Sequence, residues 1–438
     1  MRWSRYNYMF NSKKFGHLLY NSFTNTFVEF DENTYKEVDE IRKNAQDYDY
    51  TNNPQLMLQL LSGKFLIEDD EQPQLQMEMK NTLMRFSPRN LSLTIAPTRD
   101  CNFECPYCYE EDRPKLYMSN ETEENLIKFI QKYKNFNSLN ITWYGGEPLL
   151  CWDQILRISK KINGITDKYF YEIITNGYLL DEKVANDLDK AAIEAVQITI
   201  DGMQETHNKR RKHKNDKDTF NKILKNLDYL LKVWHGKLAI RINVDKTNHE
   251  EYHRVHDLIK SRFKDVRSKI IIYPGIVMDY SKDCISNGSC GLNKNDTADF
   301  MFECYKKYNI DDLNFFPYEN NGTCTATMLH SYLVGPEGEL YKCWRDLGKK
   351  DMIVGSIDGS IPTNNNIISR YLVGVNPYTS KKCKNCFYLP VCNGGCPNLR
   401  YRNKYEDTDF ETCLFHKGNL DTFLEAHYEI RRNKKRVD

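Results

Sequence analysis

The placement of the cysteines constrains this chain most. Of its 438 residues 14 are cysteine, and none precedes Cys101. Cys101, Cys105 and Cys108 form one tight group spaced C-x3-C-x2-C. Cys324, Cys343, Cys383, Cys386, Cys392, Cys396 and Cys413 form a second group towards the C-terminal end, and Cys151, Cys284, Cys290 and Cys304 stand outside both. The opening MRWSRYNYMF lacks the apolar stretch of a secretory signal. No apolar run approaches the roughly 18 residues of a membrane span. A cytoplasmic, reducing location is therefore expected, and there metal ligation explains clustered thiols better than disulfides do. Lys and Arg number 62 against 61 Asp and Glu. That balance excludes a chain organised around a basic nucleic-acid footprint.

The apolar pattern divides the chain into three parts. Residues 15–30 read as two strands around a Thr24-Asn25 turn, followed by a helix over 34–45 capped by Asp31 or Asn33. A second helix fits 54–62 with Gly63 at its end, and KFLIED returns as a strand. Residues 1–85 are thus expected to form a small winged-helix-like module whose sheet edge can accept an extended peptide by main-chain pairing, with the acidic stretch 68–79 as a linker. From 86 to 284 strand-like runs at 91–97, 140–144, 170–175, 195–200, 238–244 and 270–277 alternate with helical stretches at 121–133, 153–163, 181–191, 218–232 and 249–261. This alternation predicts an α/β fold of βαβ units on a parallel sheet. Six units are too few for a closed eight-stranded barrel, so the expectation is a partial, TIM-like (β/α)6 barrel with its site at the C-terminal strand ends. Residues 285–438 read as a loop-rich domain that depends on metal for its fold, closed by a helix over 414–433.

Three thiolates on one loop can serve three irons of a [4Fe–4S] cluster and leave the fourth open. A structural zinc site wants four closed ligands instead, and His207 or a distant cysteine would complete it. The triplet with Tyr107 just before its last cysteine resembles the radical S-adenosylmethionine (SAM) enzymes. The resemblance implies that SAM chelates the open iron and is cleaved to a 5′-deoxyadenosyl radical that takes a substrate hydrogen, with Tyr107 against the adenine. Gly145, Gly146 and Glu147, after the second of these strands, resemble the motif whose backbone and carboxylate meet the SAM ammonium. Thr175, Asn176 and Gly177 resemble a ribose-contacting position. Asp201-Gly202 with His207 and Arg211 matches a spacing in one branch of the family, with Arg211 paired to the SAM carboxylate. Asn243 is a further SAM-contact candidate.

The second cysteine group resembles the SPASM domain that follows some radical SAM domains. The resemblance implies two auxiliary [4Fe–4S] clusters, hence three clusters in all. Cys324, Cys343 and Cys396 would ligate the first auxiliary cluster, with Cys304, Cys290, Cys284 or no residue as its fourth ligand. Cys383, Cys386, Cys392 and Cys413 would ligate the second. Cys151 reads as a buried small side chain.

SPASM-bearing relatives mostly modify peptides and proteins, and residues 1–85 resemble the PqqD-like recognition element that docks a leader peptide. The expected function is a peptide maturase of the thioether-forming sactipeptide and ranthipeptide kind. An external electron donor such as flavodoxin or ferredoxin is expected, and no nucleic acid or membrane. The alternative is formylglycine formation as in anaerobic sulfatase maturases. That branch has an Asp base after the cysteine corresponding to Cys343, where this chain has Trp344. Carbon–carbon crosslinking and epimerisation use the same SAM machinery and stay open. A colourless zinc-binding protein would leave the strand-end pattern without a role.

Overall fold

A computed structural model describes residues 1–69, 71–110, 114–133, 136–277, 291–313, 315–316 and 324–434. Cys284 and Cys290 lie outside the described residues. The chain forms two compact units: residues 1–86, 298–324 and 371–438 make one, and residues 87–297 and 325–370 make the other.

In the first unit β1 (Arg2–Trp3) is followed by β2 (Asn7–Ser12), β3 (Gly16–Asn21) and β4 (Thr26–Phe30), which make an antiparallel sheet in the order β2-β3-β4. The expected strand pair around Thr24-Asn25 is β3 and β4. Asp31 caps the helix Glu32–Asn44 through Thr34 N, and the helix Pro54–Ser62 ends at Gly63 as read from the sequence. One face of the sheet packs Leu19 and Phe30 against Val38, Ile41, Leu56 and Leu60 of these helices. The KFLIED strand is only β5 (Leu66–Ile67), paired antiparallel with β1.

Two expectations are corrected in this unit. The stretch read as a linker is largely the helix Gln72–Arg85, with Pro73 in its first turn, where a missing N–H costs nothing. The last helix starts later, at Leu420, and runs to Lys434. Its Asp421, Glu425 and Glu429, four residues apart and so on one face, bond Tyr8, Ser12 and Lys14. Tyr428 and Arg432 bond Glu29 of β4 at 2.7 and 3.0 Å. The chain's last helix therefore covers the second face of its first sheet, and β2 and β4 each pair on one side only among the described residues.

The second unit is built on a nine-stranded sheet. Its strands are β6 (Asn90–Ile95), β7 (Ser138–Trp143), β8 (Tyr169–Thr175), β9 (Ile193–Ile200), β10 (Lys237–Val244), β11 (Ile270–Ile276), β12 (Ser331–Val334), β13 (Glu339–Tyr341) and β14 (Gly355–Ser356). The order is β11-β10-β9-β8-β7-β6-β12-β13-β14. The six expected strands are the first six, all parallel and in sequence order, so the α/β partial-barrel reading stands. The later part of the chain adds a seventh parallel strand: β12 pairs with β6 from Ser331↔Ser92 to Val334↔Ile95. The loop-rich reading of residues 285–438 does not include this strand.

Alternation along the strands separates two faces. Ile141, Trp143, Ile173, Ile198 and Ile240 are buried with the helices' apolar stripes. The other face carries Thr142, Glu172, Gln197, Arg241 and Tyr273, all half-buried. Thr142 donates to Glu172 at 2.7 Å and Tyr273 to Gln197 at 2.5 Å. A closed barrel fills this space with branched apolar side chains; here it is polar and partly solvated. Among the described residues no helix is long and apolar enough to cross a membrane.

Candidate active site

Cys101, Cys105 and Cys108 lie on the loop leaving β6. That loop is held by its own short side chains. Thr98 Oγ1 donates to Leu116 O at 2.7 Å and accepts from Asp100 N at 2.9 Å, and Asp100 Oδ1 accepts from Cys101 N at 2.9 Å. Its far side is laced to residues 212–214, through Glu104 N to Lys212 O at 2.8 Å and Lys214 N to Asn102 O at 3.2 Å. Phe103 is the buried anchor between these ties, and its N–H points at Cys101 Sγ, 3.4 Å away.

The segment after β7 abuts this loop backbone to backbone. Gly146 N donates to Thr98 O at 3.2 Å and Glu147 N to Asp100 O at 2.9 Å. A side chain would not fit. A Cβ on Gly146 would come within 2.2 Å of Asp100 O, and Gly145, at φ +114°, sits where a Cβ would meet Thr98 O at 2.4 Å. Glu147 is fully buried and accepts from Thr175 Oγ1 (2.6 Å), Asn176 N (2.8 Å) and Leu149 N (3.0 Å). Burial pushes its carboxyl pKa up. Asn176 Nδ2 in turn donates to Asn102 Oδ1 at 2.7 Å. The structure thus joins Glu147, Thr175 and Asn176 into one network that ties the ends of β7 and β8 to the cysteine loop.

A second network gathers the remaining sequence candidates. The Tyr107 hydroxyl accepts from Arg211 at 2.8 Å and from Asn243 at 3.2 Å, and burial holds this phenol well above its usual pKa. Arg211 lies 3.7 Å from Asp201. His207 is buried, accepts from Asp201 N at 3.3 Å, and is kept neutral by burial and by the nearby Arg211 charge. Among the described residues it joins no cluster of potential metal ligands, and its Nε2 is buried without a hydrogen-bond partner. Sequence reasoning missed Arg210, which bridges Asp201 (3.2 Å) and Asp245 (2.6 Å) while its guanidinium stands 4.9 Å from the Tyr107 ring centroid. The Arg210-Arg211 pair was its signal, but nothing in the sequence said which arginine turned where. Also missed was an aromatic wall: Tyr144 contacts the hydroxyl of Tyr109 and stacks on Trp344 at 4.9 Å.

These residues fit the groups that the sequence resemblance implies. Burial first, then the Glu147 charge and the neighbouring thiols, push Cys101 up to about 12. Such a thiol ionises only when a cationic metal group compensates it. Among the described residues no three His, Cys, Asp or Glu converge on a single ion. A [4Fe–4S] cluster does not ask for that, since each thiolate serves a different iron. Beside the loop, Arg211 Nε, Asp201 Oδ1 and Asn102 Nδ2 are buried without a hydrogen-bond partner. Orphaned polar atoms of both kinds suit a bound zwitterion such as the methionyl end of SAM.

In the first unit Cys383, Cys386, Cys392 and Cys413 line one cavity, together with Lys382 and Lys417. Burial pushes Cys392 up to about 11. Cys324 and Cys396 are exposed in this same unit, whereas Cys343 is buried in the other, just beyond β13. Cys304 and Cys151 are both buried, and burial raises Cys304 to about 12.

Residues 95–259 match the model of the Radical SAM superfamily. The cysteine-type anaerobic sulfatase-maturating enzyme of Clostridium perfringens is 25% identical over 356 residues, which span 73% of this chain and 92% of that protein. Among solved structures, native anSMEcpe with bound AdoMet and Cp18Cys peptide matches with a TM-score of 0.61 and 21% identity, over 80% of this chain and 100% of that one. Streptococcus suis SuiB bound to precursor peptide SuiA matches with a TM-score of 0.50 and 15% identity, over 91% and 96% of the two chains. Both structural matches are likenesses of fold.

Proposed function

We propose that this chain, whose residues 95–259 match the Radical SAM superfamily, is a radical SAM enzyme that modifies a ribosomally made peptide by joining a cysteine sulfur to a carbon. The observation that carries the reading is the polar inner face of the open half-barrel, which runs from Thr142 to Tyr273 below the cysteine loop. A polar, partly solvated face suits a peptide better than an apolar small molecule. Relatives support it: one is named for maturing sulfatases, and a structural neighbour is seen with a precursor peptide.

SAM and a cluster held by Cys101, Cys105 and Cys108 would supply the oxidising power to remove a hydrogen atom from an unactivated carbon. The protein's part is to hold and orient. Glu147 and the two glycines fix the cysteine loop against the strand ends. Arg211, Asn243 and Tyr107 form a preorganised wall, with Arg211 as the partner of the SAM carboxylate. The Glu147 carboxylate expected to meet the SAM ammonium is taken up by Thr175, Asn176 and Leu149, so Asp201, whose Oδ1 has no hydrogen-bond partner, is the anionic counterpart instead. Two auxiliary clusters, on Cys324, Cys343 and Cys396 and on Cys383, Cys386, Cys392 and Cys413, belong to this reading. So does an external one-electron donor of the flavodoxin or ferredoxin kind. Forming the C–S bond removes one hydrogen from carbon, one proton from the thiol and one electron, so the peptide leaves two hydrogens lighter.

The test is incubation of the reduced, iron-loaded enzyme with SAM and a short cysteine-bearing peptide encoded beside it. A product two hydrogens lighter, with its thiol blocked, supports the reading. Replacement of the cysteine sulfur by a carbonyl oxygen would instead establish formylglycine formation, the second reading, which the relationship to sulfatase maturases favours. Trp344 weighs against that reading, because an indole stacked on Tyr144 offers no base at the position where that branch places one.

Residues 1–85 are proposed to dock the leader segment on an outer strand of the β2-β3-β4 sheet. Deleting the module would strip the last helix of its packing, so proline is better placed at exposed Asn11 in β2 and Glu29 in β4. One of the two is expected to weaken leader binding at least about tenfold, roughly 1.4 kcal/mol, with SAM cleavage unaltered. Unchanged leader affinity in both variants would remove the docking proposal.

A further inference from the structure

Arg400 lies in the helix Pro397–Tyr405, directly after the second group of close-spaced cysteines. Its guanidinium is held in place by two main-chain oxygens: Nε donates to Val375 O at 3.0 Å and Nη1 to Gly394 O at 3.3 Å. The same Nη1 lies 3.3 Å from Cys383 Sγ and donates to it. Gly394 is part of the arrangement. It sits at φ +83°, and a Cβ there would meet Nη1 at 3.0 Å. The donor is thus aimed by the fold rather than reaching the sulfur by chance. Cys383 is one of four thiols that line a single cavity.

We propose that Arg400 is a positioning residue that sets the reduction potential of a cluster ligated by Cys383, Cys386, Cys392 and Cys413. This rests on the reading that these four thiols hold such a cluster. Hydrogen bonds to ligand sulfurs are one of the protein's main controls over cluster potential. Adding an electron makes the cluster more negative, and a fixed cationic donor on sulfur favours that state. Arg400 therefore raises the potential and makes this centre the easier one to reduce. Lys382 and Lys417 also line the cavity, but both are exposed, so water and salt screen their charge.

The experiment is an anaerobic redox titration followed by electron paramagnetic resonance. It uses the reconstituted full chain carrying C101A, C105A and C108A, so that the first site adds no signal. Arg400→Gln is expected to keep its iron and show a lower midpoint potential, with Arg400→Lys between it and the parent and Lys417→Gln near the parent. A parental midpoint in an iron-replete Arg400→Gln protein overturns the proposal. Loss of this cluster's iron in both Arg400 variants also overturns it, in favour of a residue that only braces the loop. A separate Cys383→Ala protein that keeps the same iron and spectrum as the parent would show that the cluster assignment itself is wrong.

Discussion

Cys105→Ala is expected to abolish SAM cleavage, lowering it by more than the roughly 100-fold that even an outer-shell change at a metal site can cost. Cys105 is buried in the middle of the cysteine loop, between Cys108 and Cys101, whose thiol burial pushes up to about 12. Losing one of three protein ligands from a cluster that already has an open iron leaves two, too few to retain it. Iron per chain after reconstitution should fall by about four from about twelve, since each complete centre carries four. Signals from the two proposed auxiliary centres should persist, because the cysteines proposed to hold them lie elsewhere in the sequence. Unchanged iron and unchanged SAM cleavage would refute the assignment of this triplet. A starting content near four would withdraw the auxiliary centres and leave the first in place.

Gly146→Ala is expected to be nearly as damaging, though it changes no ligand and no charge. The added methyl would stand 2.2 Å from Asp100 O and 2.6 Å from Arg99 O. Both are backbone atoms of the loop that carries the cysteines, so no flexible side chain can yield. Relief requires moving the loop away from β7, which breaks the bonds from Gly146 N and Glu147 N. The cost should reach about 3 kcal/mol, the upper part of the usual overpacking range. A shift of about 1 Å at a reacting centre can cost on the order of 100-fold in rate. Thermal unfolding and iron content read the two effects separately. Gly359→Ala is the control: it has φ +82° in the same unit, but no atom lies within 4 Å of the new methyl. Its cost should stay near the roughly 1–2 kcal/mol of a left-handed backbone position. Equal behaviour of the two variants would mean that close approach to the loop is not what Gly146 provides.

Much of the second unit was legible in advance for a simple reason. Each parallel strand pairs with its sequence neighbour, so local alternation and global order coincide. The runs near Leu91, Ile141, Ile173, Ile198, Ile240 and Ile272 became β6 to β11. The strand ends then collected Glu147, Thr175, Asn176, Asp201 and Asn243 by topology alone. The helix Gln72–Arg85 was misread because its Gln- and acid-rich start lacks a sharp apolar stripe. Strand β2 went unread because NYMFNS has too little apolar alternation to stand out. Strand β12 was missed because it pairs with β6, more than two hundred residues earlier. Arg210, which bridges Asp201 and Asp245, went unread because it is adjacent to Arg211 and chemically identical to it.

From its amino-acid sequence alone this protein is committed to thiolate metal chemistry and to a parallel α/β half-barrel. Cysteine spacing and hydrophobic period are local quantities, and the chemistry they imply does not depend on distant contacts. The tertiary structure alone decided that the last helix covers the first sheet, that the buried Glu147 carboxylate gathers Thr175, Asn176 and Leu149, and that Arg400 points at a sulfur. Each of these depends on which groups meet across long stretches of chain. Only a packed fold settles that, because a buried polar group stays buried only where another group is in place to satisfy it.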